Sequence, residues 1–334
     1  MRKMLKQDAL NPDGEAGLER LVEAAYLYYS EGRTQQEIAT RLRISRPWVS
    51  RLLRRARDLG IVRIELSPAF VRSVELSERL KAALGIKEAV VARHHGSGGE
   101  DDTALVAGVA ADYIISTVEP SARIGVAWGK TLYQTVRSIR SPRHLGVSVI
   151  PVMGGLGPHH PEIQGNYVAI TLAERFGGDA YCVHAPAYAS SREERDMFLN
   201  MPAISQIWGG LDSLDLVLVG IGALSGSTVF EMGYIENNDL ETLRSAGSVG
   251  NVGPWFLDER GGILPGVVNE RLVALPVERV RRIAKRIIAV AAGGHKVNAI
   301  MSAISGGWLD GLITGEVTAR RLLESASALP AART

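Results

Sequence analysis

The chain has 334 residues, of which 46% are hydrophobic, with 36 Gly and a formal net charge of +2. This length suggests two or three domains, and the composition is typical of a folded globular protein, which excludes a largely disordered chain. A single cysteine, Cys182, excludes an intramolecular disulfide and a thiolate zinc cluster. No apolar run approaches the roughly 20 residues of a membrane span and no signal peptide is evident, so we expect a cytoplasmic protein.

The N-terminal segment, residues 1–17, is predicted to be a disordered leader. A first helix is predicted over residues 18–30, because its apolar residues recur at helical spacing. The inward-facing positions predicted for this helix are Leu21, Ala24, Ala25 and Tyr28. The helix is expected to pack beneath the two helices that follow it.

Residues 34–60 have the sequence form of two helices joined by a tight turn. Thr34 is placed to cap the first of them, and Glu37 completes a capping box by reaching back to the Thr34 backbone. The chain is expected to turn near Arg43, and Ser45 is placed to cap the second helix. The second helix has an inner apolar stripe formed by Val49, Leu52, Leu53 and Ala56. The pattern predicts a helix-turn-helix, whose second helix enters the DNA major groove.

Charge supports the same interpretation. Residues 33–63 contain nine Arg and no Lys against two acidic residues, which gives this segment +7 and leaves the remainder at −5. A local basic patch on a near-neutral chain indicates a DNA-binding module, although an arginine-rich solvated helical hairpin is the alternative. Arg suits bidentate contacts with guanine and phosphate. We predict base-edge contacts from Arg46, Ser50 and Arg51. The phosphate contacts are predicted from Gln35, Arg43, Arg54 and Arg55, with Ser45 on the same DNA-facing surface.

A short β-prone segment, residues 61–66, follows the second helix and is predicted to form a wing that touches the DNA backbone through Arg63. The DNA-binding domain is thus predicted to span residues 18–66. Residues 67–85 are predicted to contain a helix, which is either a linker or the first helix of the next domain.

From residue 86 onward, short apolar runs alternate with helical stretches. Continuous apolar strands separated by helices are typical of a parallel sheet covered on both faces, so residues 86–334 are predicted to be a doubly wound α/β effector domain. The predicted strands lie within residues 89–92, 124–127, 147–152, 180–183, 216–221, 273–275, 287–292 and 312–313. The predicted helices between them include residues 103–118, 166–176, 278–286 and 296–304.

Four of these strands end in glycine-rich loops, GVAWGKT, VMGGLG, VGIGALSGS and VAAGGHK. In open parallel sheets, ligands bind outside the carboxyl ends of the strands, where glycine lets backbone N–H groups approach an anion. The loops predict a small-molecule pocket, although βα turns also use glycine for structural reasons. Only three residues separate Gly125 from Gly129, one fewer than a nucleotide-triphosphatase phosphate loop needs. We still expect Lys130, Thr131 and the Gly129 backbone to face an anion.

Catalytic and metal-binding motifs are sparse. There is no His-Glu-x-x-His and no Gly-x-Ser-x-Gly, and the adjacent pairs at residues 94–95 and 159–160 are expected to be loop histidines. His295 is better placed beside Gly293 and Gly294, but it could be a plain loop residue. No dinucleotide fingerprint is evident either. We therefore expect no catalytic residue, no cofactor and no metal.

The order and spacing of the motifs resemble a known family. A helix-turn-helix followed by VAWGKTL, VMGGLG, LVLVGIG, GSVGNVGPWFLDERG, VAAGGHKVNAI and LITGEVTARRLL resembles the SorC type of sugar-responsive bacterial transcription regulators, over residues 18–324. The resemblance implies a ligand domain similar to ribose-5-phosphate isomerases and glucosamine-6-phosphate deaminases. It also implies a bound sugar or sugar phosphate, and dimers or tetramers on repeated operator half-sites.

The effector-binding residues are carried over by position onto this sequence. Together with Gly222 in the third glycine loop, they are Gly129, Lys130, Thr131, Gly154, Gly155, Gln164, Asn166, Asn251, Asp258, Lys296 and Glu316. Two departures matter: Asn251 stands where many members carry Asp, and Gly315 stands where the usual Thr-Asp-Glu has Asp. A neutral amide accepts fewer hydroxyl hydrogen bonds than a carboxylate, so polyol specificity is expected to differ.

The sequence thus predicts a transcription regulator whose operator binding is modulated by a sugar, sugar phosphate or polyol. The effector must bind one arrangement of the DNA-binding heads more tightly than another, because an effector with equal affinity for both leaves their populations unchanged. The main alternative is an isomerase-like or deaminase-like enzyme, with Glu316 or Asp258 as base and Lys296 as electrophile. A recombinase or architectural DNA protein would leave the glycine loops unexplained.

Overall fold

The computed structural model describes residues 15–62, 73–93, 102–140, 143–156, 160–224, 230 and 235–328. The chain divides into two compact units, Met1–Leu66 and Ser67–Thr334. Residues 1–14 of the predicted leader and residues 63–66 of the predicted wing lie outside the described residues, as do His94, His95 and His159.

The first unit contains three helices, α1 (Glu15–Tyr29), α2 (Gln35–Leu42) and α3 (Arg46–Asp58). The capping box is formed, since the Thr34 N–H donates to Glu37 Oε2 at 2.7 Å and the Glu37 N–H donates to Thr34 Oγ1 at 3.3 Å. Arg43 makes the turn in the left-handed conformation, with φ of 52°. Ser45 occupies the N-cap position of α3, but its hydroxyl makes no capping hydrogen bond, contrary to the prediction.

These helices enclose a small apolar core. Its members are Leu21, Ala24, Ala25, Leu27, Ile38, Ala39, Val49, Leu52, Leu53 and Ala56. The inner stripe predicted for α3 is therefore confirmed. Helix α1 begins at Glu15, three residues earlier than predicted, and Tyr28 is 36% exposed where it was predicted to face inward. Leu27, which is 1% exposed, takes the inward position in the last turn instead, while Leu21, Ala24 and Ala25 are buried as predicted.

The second unit is a layered α/β structure. Its strands are β1 (Glu88–Ala92), β2 (Arg123–Val126), β3 (Ser148–Pro151), β4 (Asp179–Ala180), β5 (Leu216–Ala223), β6 (Ser248–Val252), β7 (Trp255–Asp258), β8 (Ile287–Ala291) and β9 (Gly311–Gly315). Its helices are α4 (Val74–Leu84), α5 (Thr103–Thr117), α6 (Lys130–Ser138), α7 (Gly165–Arg175), α8 (Arg192–Asn200), α9 (Pro202–Gly209), α10 (Asn237–Ser245), α11 (Val267–Glu270), α12 (Val277–Ile283), α13 (Val297–Ser305) and α14 (Glu316–Ala328).

Seven strands form a parallel sheet in the order β1-β9-β8-β5-β2-β3-β4. The chain proceeds outward from β2 through β3 to β4, and then returns to β5 on the other side of β2. The carboxyl ends of β2 and β5 therefore flank a topological switch point, which is where open α/β sheets bind ligands. The predicted doubly wound parallel sheet is confirmed.

Three features differ from the sequence-based expectation. The strand predicted over residues 180–183 is limited to Asp179–Ala180. Strand β6 pairs antiparallel with the end of β5, and β7 pairs antiparallel with β6. Glycines interrupt the apolar pattern of this hairpin, so it was not predicted. The apolar run at residues 273–275 is not a strand of the sheet; it runs beside the segment that follows β3, with an isolated bridge from Ala274 to Met153.

Helix α4 belongs to the second unit, since it packs against β1 and α14. The Ser77 hydroxyl on this helix accepts a hydrogen bond from the Val91 N–H of β1 at 2.9 Å. Of the two alternatives for residues 67–85, the described part is thus the first helix of the next domain. Among the described helices, none has the length and apolar character needed to cross a membrane.

Candidate DNA-binding surface and effector site

The outer face of α3 is rich in arginine. The inner stripe is buried in the small core, which leaves Arg46, Arg51, Arg54 and Arg55 exposed on the other side, while Ser50 is half-buried. Arg46, Ser50 and Arg54 follow one another at intervals of four residues and so form one row along the helix. The predicted DNA-binding residues of α3 therefore share one surface.

The remaining predicted contacts lie at the start of this surface. Arg43 and Ser45 are exposed in the turn before α3, and Gln35 is half-buried in the first turn of α2. A groove of about 600 Å³ brings Gln35 together with Arg33 and Arg46. The beginnings of the two helices thus present polar side chains side by side.

Trp48 is a residue of this surface that the sequence analysis missed. The guanidinium carbon of Arg51 lies 4.6 Å from the centroid of the Trp48 ring. This is the geometry of a cation–π contact, which holds the arginine in one orientation. The signal was present in the sequence, because positions 48 and 51 are neighbours on a helix.

The second unit has a cavity of about 380 Å³ at the carboxyl ends of the central strands, within the usual size range for small-ligand sites. Its lining comes from the loop after β2, the end of β5, the β6 hairpin and the loop after β8. Gly220 and Gly222 of β5 lie two residues apart, so they face the same side, and both line the cavity. The absence of a side chain at Gly222 leaves room for the Asn251 amide.

Basic side chains line this cavity. Its lining includes Lys130, His295 and Lys296, and no carboxylate among the described residues. Lys130 begins α6, and Lys296 directly precedes α13, so two helix N-termini face the same space. Helix N-termini favour negative charge through their unpaired N–H groups and dipoles. The arrangement suits an anionic group of a ligand.

Two residues of the cavity lining each have a buried polar atom. Trp128 is 7% exposed and Asn251 is 5% exposed, and neither Trp128 Nε1 nor Asn251 Oδ1 has a hydrogen-bond partner among the residues that the structure describes. The Asn251 amide is oriented by its other end, since Nδ2 donates to the Gly253 carbonyl at 2.6 Å. Its Oδ1 packs against Gly222, where a Cβ would lie 2.5 Å away.

The structure brings six of the predicted effector residues to this cavity. They are Gly129, Lys130, Thr131, Gly222, Asn251 and Lys296. One detail differs from the expectation for the first loop: the Gly129 N–H donates to the Ile163 carbonyl at 3.0 Å instead of facing an anion. The Lys130 side chain and the N-terminus of α6 remain at the cavity.

The other six predicted residues are not among those lining the cavity. Gly154 and Gly155 follow β3, and their N–H groups donate to the carbonyls of Val273 and Ala185 at 2.9 and 2.8 Å. Gln164 precedes α7 as its N-cap residue. Asn166 exchanges two hydrogen bonds with the backbone of Val183, at 2.9 and 3.1 Å.

Asp258 and Glu316 are engaged elsewhere. Asp258 Oδ1 accepts hydrogen bonds from the N–H groups of Arg260 and Gly262, both at 2.8 Å, and so shapes the turn after β7. Glu316 lies at the start of α14 and pairs with Arg93 and Arg320, at 3.4 and 2.6 Å. The described residues place neither carboxylate on the cavity wall, and their roles in effector binding stay predictions.

Gly315 has a structural explanation. A Cβ at this position would lie 1.3 Å from Asp102 Oδ2, so the Asp102 carboxylate occupies the space of a side chain at position 315. Asp102 precedes α5 and Gly315 ends β9, which puts this contact at the same edge of the sheet as the cavity. A carboxylate is thus supplied to this edge from another part of the chain.

Sequence reasoning missed Trp128, Thr103 and Gln134 as cavity-lining residues and left His295 undecided. Trp128 could have been found, because it lies inside the first glycine loop, directly before Gly129. Thr103 and Gln134 carry no sequence signal, since both lie on helices that only the fold brings to the site. In the described part of the chain, no cluster of three or more His, Cys, Asp or Glu could hold a metal ion.

Two family models match the chain. Residues 24–69 match the MarR family, and residues 69–324 match Sugar-bind, a sugar-binding domain. The crystal structure of the full-length sorbitol operon regulator SorC from Klebsiella pneumoniae is 28% identical, covers 91% of this chain and 98% of that chain, and aligns with a TM-score of 0.68. The chain belongs to the SorC type of sugar-binding transcriptional regulators.

Relatives of this SorC-type regulator match it over most of their length. The deoxyribonucleoside regulator of Bacillus subtilis is 30% identical over 306 residues, which cover 90% of this chain and 96% of the relative. The sorbitol operon regulator of K. pneumoniae is 29% identical over 310 residues, which cover 91% of this chain and 97% of the relative. These proteins are regulators and not enzymes, so the isomerase or deaminase alternative is not supported. The SorC-type chain is a transcriptional regulator with a helix-turn-helix and a sugar-binding domain.

Proposed function

We propose that this regulator binds a DNA operator through the outer face of α3, and that a sugar, sugar phosphate or polyol bound at the β2–β5 switch point changes its operator affinity. The observation that carries the proposal is the pairing of two sites in one chain. One unit exposes an arginine row on the second helix of a helix-turn-helix, and the other holds a cationic cavity between helix N-termini.

On the DNA side, the assignment follows position along α3. Residues near the start of a recognition helix reach base edges, so Arg46, Ser50 and Arg51 specify the sequence. Polar residues around them hold the phosphates and set the register. These residues are Gln35, Arg43, Ser45, Arg54 and Arg55. The protein would act in the cytoplasm, as a homodimer or homotetramer whose symmetry matches repeated half-sites.

On the effector side, the cavity offers the cations Lys130 and Lys296 for an anionic group, with His295 beside them. Polar atoms of Thr131 and Asn251 suit hydroxyl groups. Two relatives are named for hydroxylated compounds, a deoxyribonucleoside and sorbitol. The favoured effector is therefore a hydroxylated small molecule, with a phosphorylated sugar matching both the charge and the hydrogen-bonding groups.

The test is fluorescence anisotropy of the full-length protein on DNA from upstream of its own gene, compared with random DNA of equal length. Salt must be fixed, because phosphate contacts make the affinity steeply salt-dependent. The same titrations are repeated with a panel of sugars, polyols and their phosphates. Preference for the upstream DNA that one compound alters supports the proposal. Equal affinity for both DNAs, unchanged by every compound, contradicts it.

A further inference from the structure

One arginine of the α3 surface is held in place by an aromatic ring. The guanidinium carbon of Arg51 lies 4.6 Å from the centroid of the Trp48 ring. Trp48 is half-buried and packs against the small apolar core of the first unit, so the fold fixes the position of the ring. The contact orients Arg51 before any DNA is bound, which reduces the side-chain ordering that binding requires.

The rest of the Arg51 guanidinium is available to DNA. Arg51 is exposed, and within the described residues it forms no hydrogen bond or ion pair. Its N–H donors lie in the plane of the group, and Trp48 covers one of the two faces of that plane. The in-plane donors and the opposite face therefore remain for a ligand.

One kind of base step in the DNA major groove fits such a group. A bidentate contact with O6 and N7 of guanine places the guanidinium in the plane of that base. The two faces of the guanidinium then point along the base stack, towards the neighbouring base pairs. Thymine alone presents a methyl group in the major groove. Because a guanidinium is weakly hydrated, its open face packs readily on an apolar group.

We infer that Trp48 and Arg51 act as one unit that reads a guanine with a thymine beside it on the same strand; this inference rests on the proposed DNA binding. Arg51 donates to the guanine, and its face opposite Trp48 packs on the thymine methyl. Trp48 is a positioning residue, since it acts through the arginine. The unit thus specifies two adjacent base pairs, because cytosine in place of the thymine offers no methyl group.

The first test selects duplexes from a random-sequence library with the full-length wild type, Trp48→Ala and Arg51→Ala. The wild type should enrich a motif that contains a thymine–guanine step. Arg51→Ala should lose the preference for both bases of this step, and Trp48→Ala should lower both preferences while the rest of the motif persists. A motif whose Arg51-dependent guanine has no adjacent thymine overturns the inference and leaves sequence-specific DNA binding in place.

Arg137 provides a matched control in the second unit. Its guanidinium carbon also lies over an aromatic ring, 5.5 Å from the centroid of Tyr133, and the side chain is exposed. Arg137→Ala therefore removes one charge and one cation–π contact away from α3. This variant should enrich the wild-type motif. A loss of the thymine–guanine step in Arg137→Ala as large as that in Arg51→Ala overturns the inference.

The second test changes only the DNA, so the wild-type result does not depend on the folding of a variant. Deoxyuridine replaces the thymine of the selected step, which removes one methyl group and keeps every hydrogen bond. Anisotropy at fixed salt should show about fourfold weaker binding by the wild type, the scale of one buried methyl group. Arg51→Ala should bind both duplexes equally. Equal affinity of the wild type for both duplexes overturns the inference alone, whereas a wild type that enriches no sequence contradicts the proposed operator binding as well.

Discussion

Gly222 and Asn251 face each other across the antiparallel β5–β6 pair, and the amide oxygen of Asn251 occupies the space above the glycine. A Cβ at position 222 would lie 2.5 Å from Asn251 Oδ1. The glycine therefore permits the observed orientation of the Asn251 amide.

Gly222→Ala should damage effector binding and stability together. The added methyl forces the amide to turn, which breaks the hydrogen bond to the Gly253 carbonyl at 2.6 Å. We expect a loss of about 1–2 kcal/mol in unfolding free energy, the scale of one buried hydrogen bond, measured by urea denaturation. The control is Gly209→Ala, at a helical position with open space around the added Cβ, which should be neutral or slightly stabilising. Equal effects of both substitutions would contradict this account.

Arg51→Ala and Arg54→Ala should weaken DNA binding in different ways. Loss of a bidentate base contact at Arg51 should reduce the free energy of operator binding by about 1–3 kcal/mol and relax sequence specificity. Arg54→Ala should weaken binding to all DNA sequences alike. Anisotropy on operator and random DNA at fixed salt measures both. Arg79→Ala removes an exposed arginine of the second unit, 3.9 Å from Glu75, and controls for net charge. If the ratio of operator affinity to random-DNA affinity were the same in both α3 variants, the roles of Arg51 and Arg54 would be misassigned.

Trp48→Ala should reduce operator affinity although the substitution removes no charge. Arg51 stacks at 4.6 Å on this ring, and a cation–π contact at an exposed site is worth about 0.5–1 kcal/mol. The loss should disappear in an Arg51→Ala background, because the ring acts through the arginine. An additive double variant, measured by the same anisotropy assay, would mean that Trp48 acts independently.

Because of Asp310, the free energy of unfolding should decrease at acidic pH. Burial alone raises the pKa of this carboxyl, but hydrogen bonds from Arg281, Lys87 and the Ile287 N–H outweigh it and lower the pKa to about 2. Because the folded pKa lies below the unfolded value of 3.8, the stabilisation is complete above about pH 4 and is lost as the pH falls towards 2. This contribution of Asp310 to the free energy of unfolding amounts to about 2 kcal/mol.

Urea unfolding of the wild type and Asp310→Asn between pH 5 and about 2 tests this dependence, which the variant should largely lose. Asp212→Asn is the control. Asp212 also pairs with an arginine, Arg123, but this pair is exposed, so solvent screens it. A wild-type curve that runs parallel to that of Asp310→Asn would refute the assignment.

Gly315→Ala should be strongly destabilising, because the new Cβ would overlap the Asp102 carboxylate at 1.3 Å. Overpacking of this kind typically costs about 1–3 kcal/mol. Asp102→Ala in the same chain should recover much of the loss, since it empties the contested space. The double-mutant cycle is measured by thermal and urea unfolding, and additive effects would show that the two residues do not compete.

Local sequence determined most features of the described helices of the DNA-binding unit, although the Ser45 cap and the inward position of Tyr28 were predicted wrongly. The capping box of Thr34 and Glu37, the turn at Arg43 and the inner stripe of α3 depend on residues within a few positions of one another, so spacing alone predicts them. The same holds for the alternation of strands and helices after residue 86. The hairpin of β6 and β7 escaped prediction because its glycines break the apolar pattern.

Tertiary structure alone decided which glycine loops meet. The sequence contains four similar loops, but the strand order sets β2 beside β5 and β8 beside β5, whereas β3 lies on the far side of β2. Gly129, Gly222 and Lys296 therefore converge on one cavity, and Gly154 and Gly155 do not line it. Local propensity cannot encode this outcome, because the order of parallel strands depends on how crossover helices pack between distant segments.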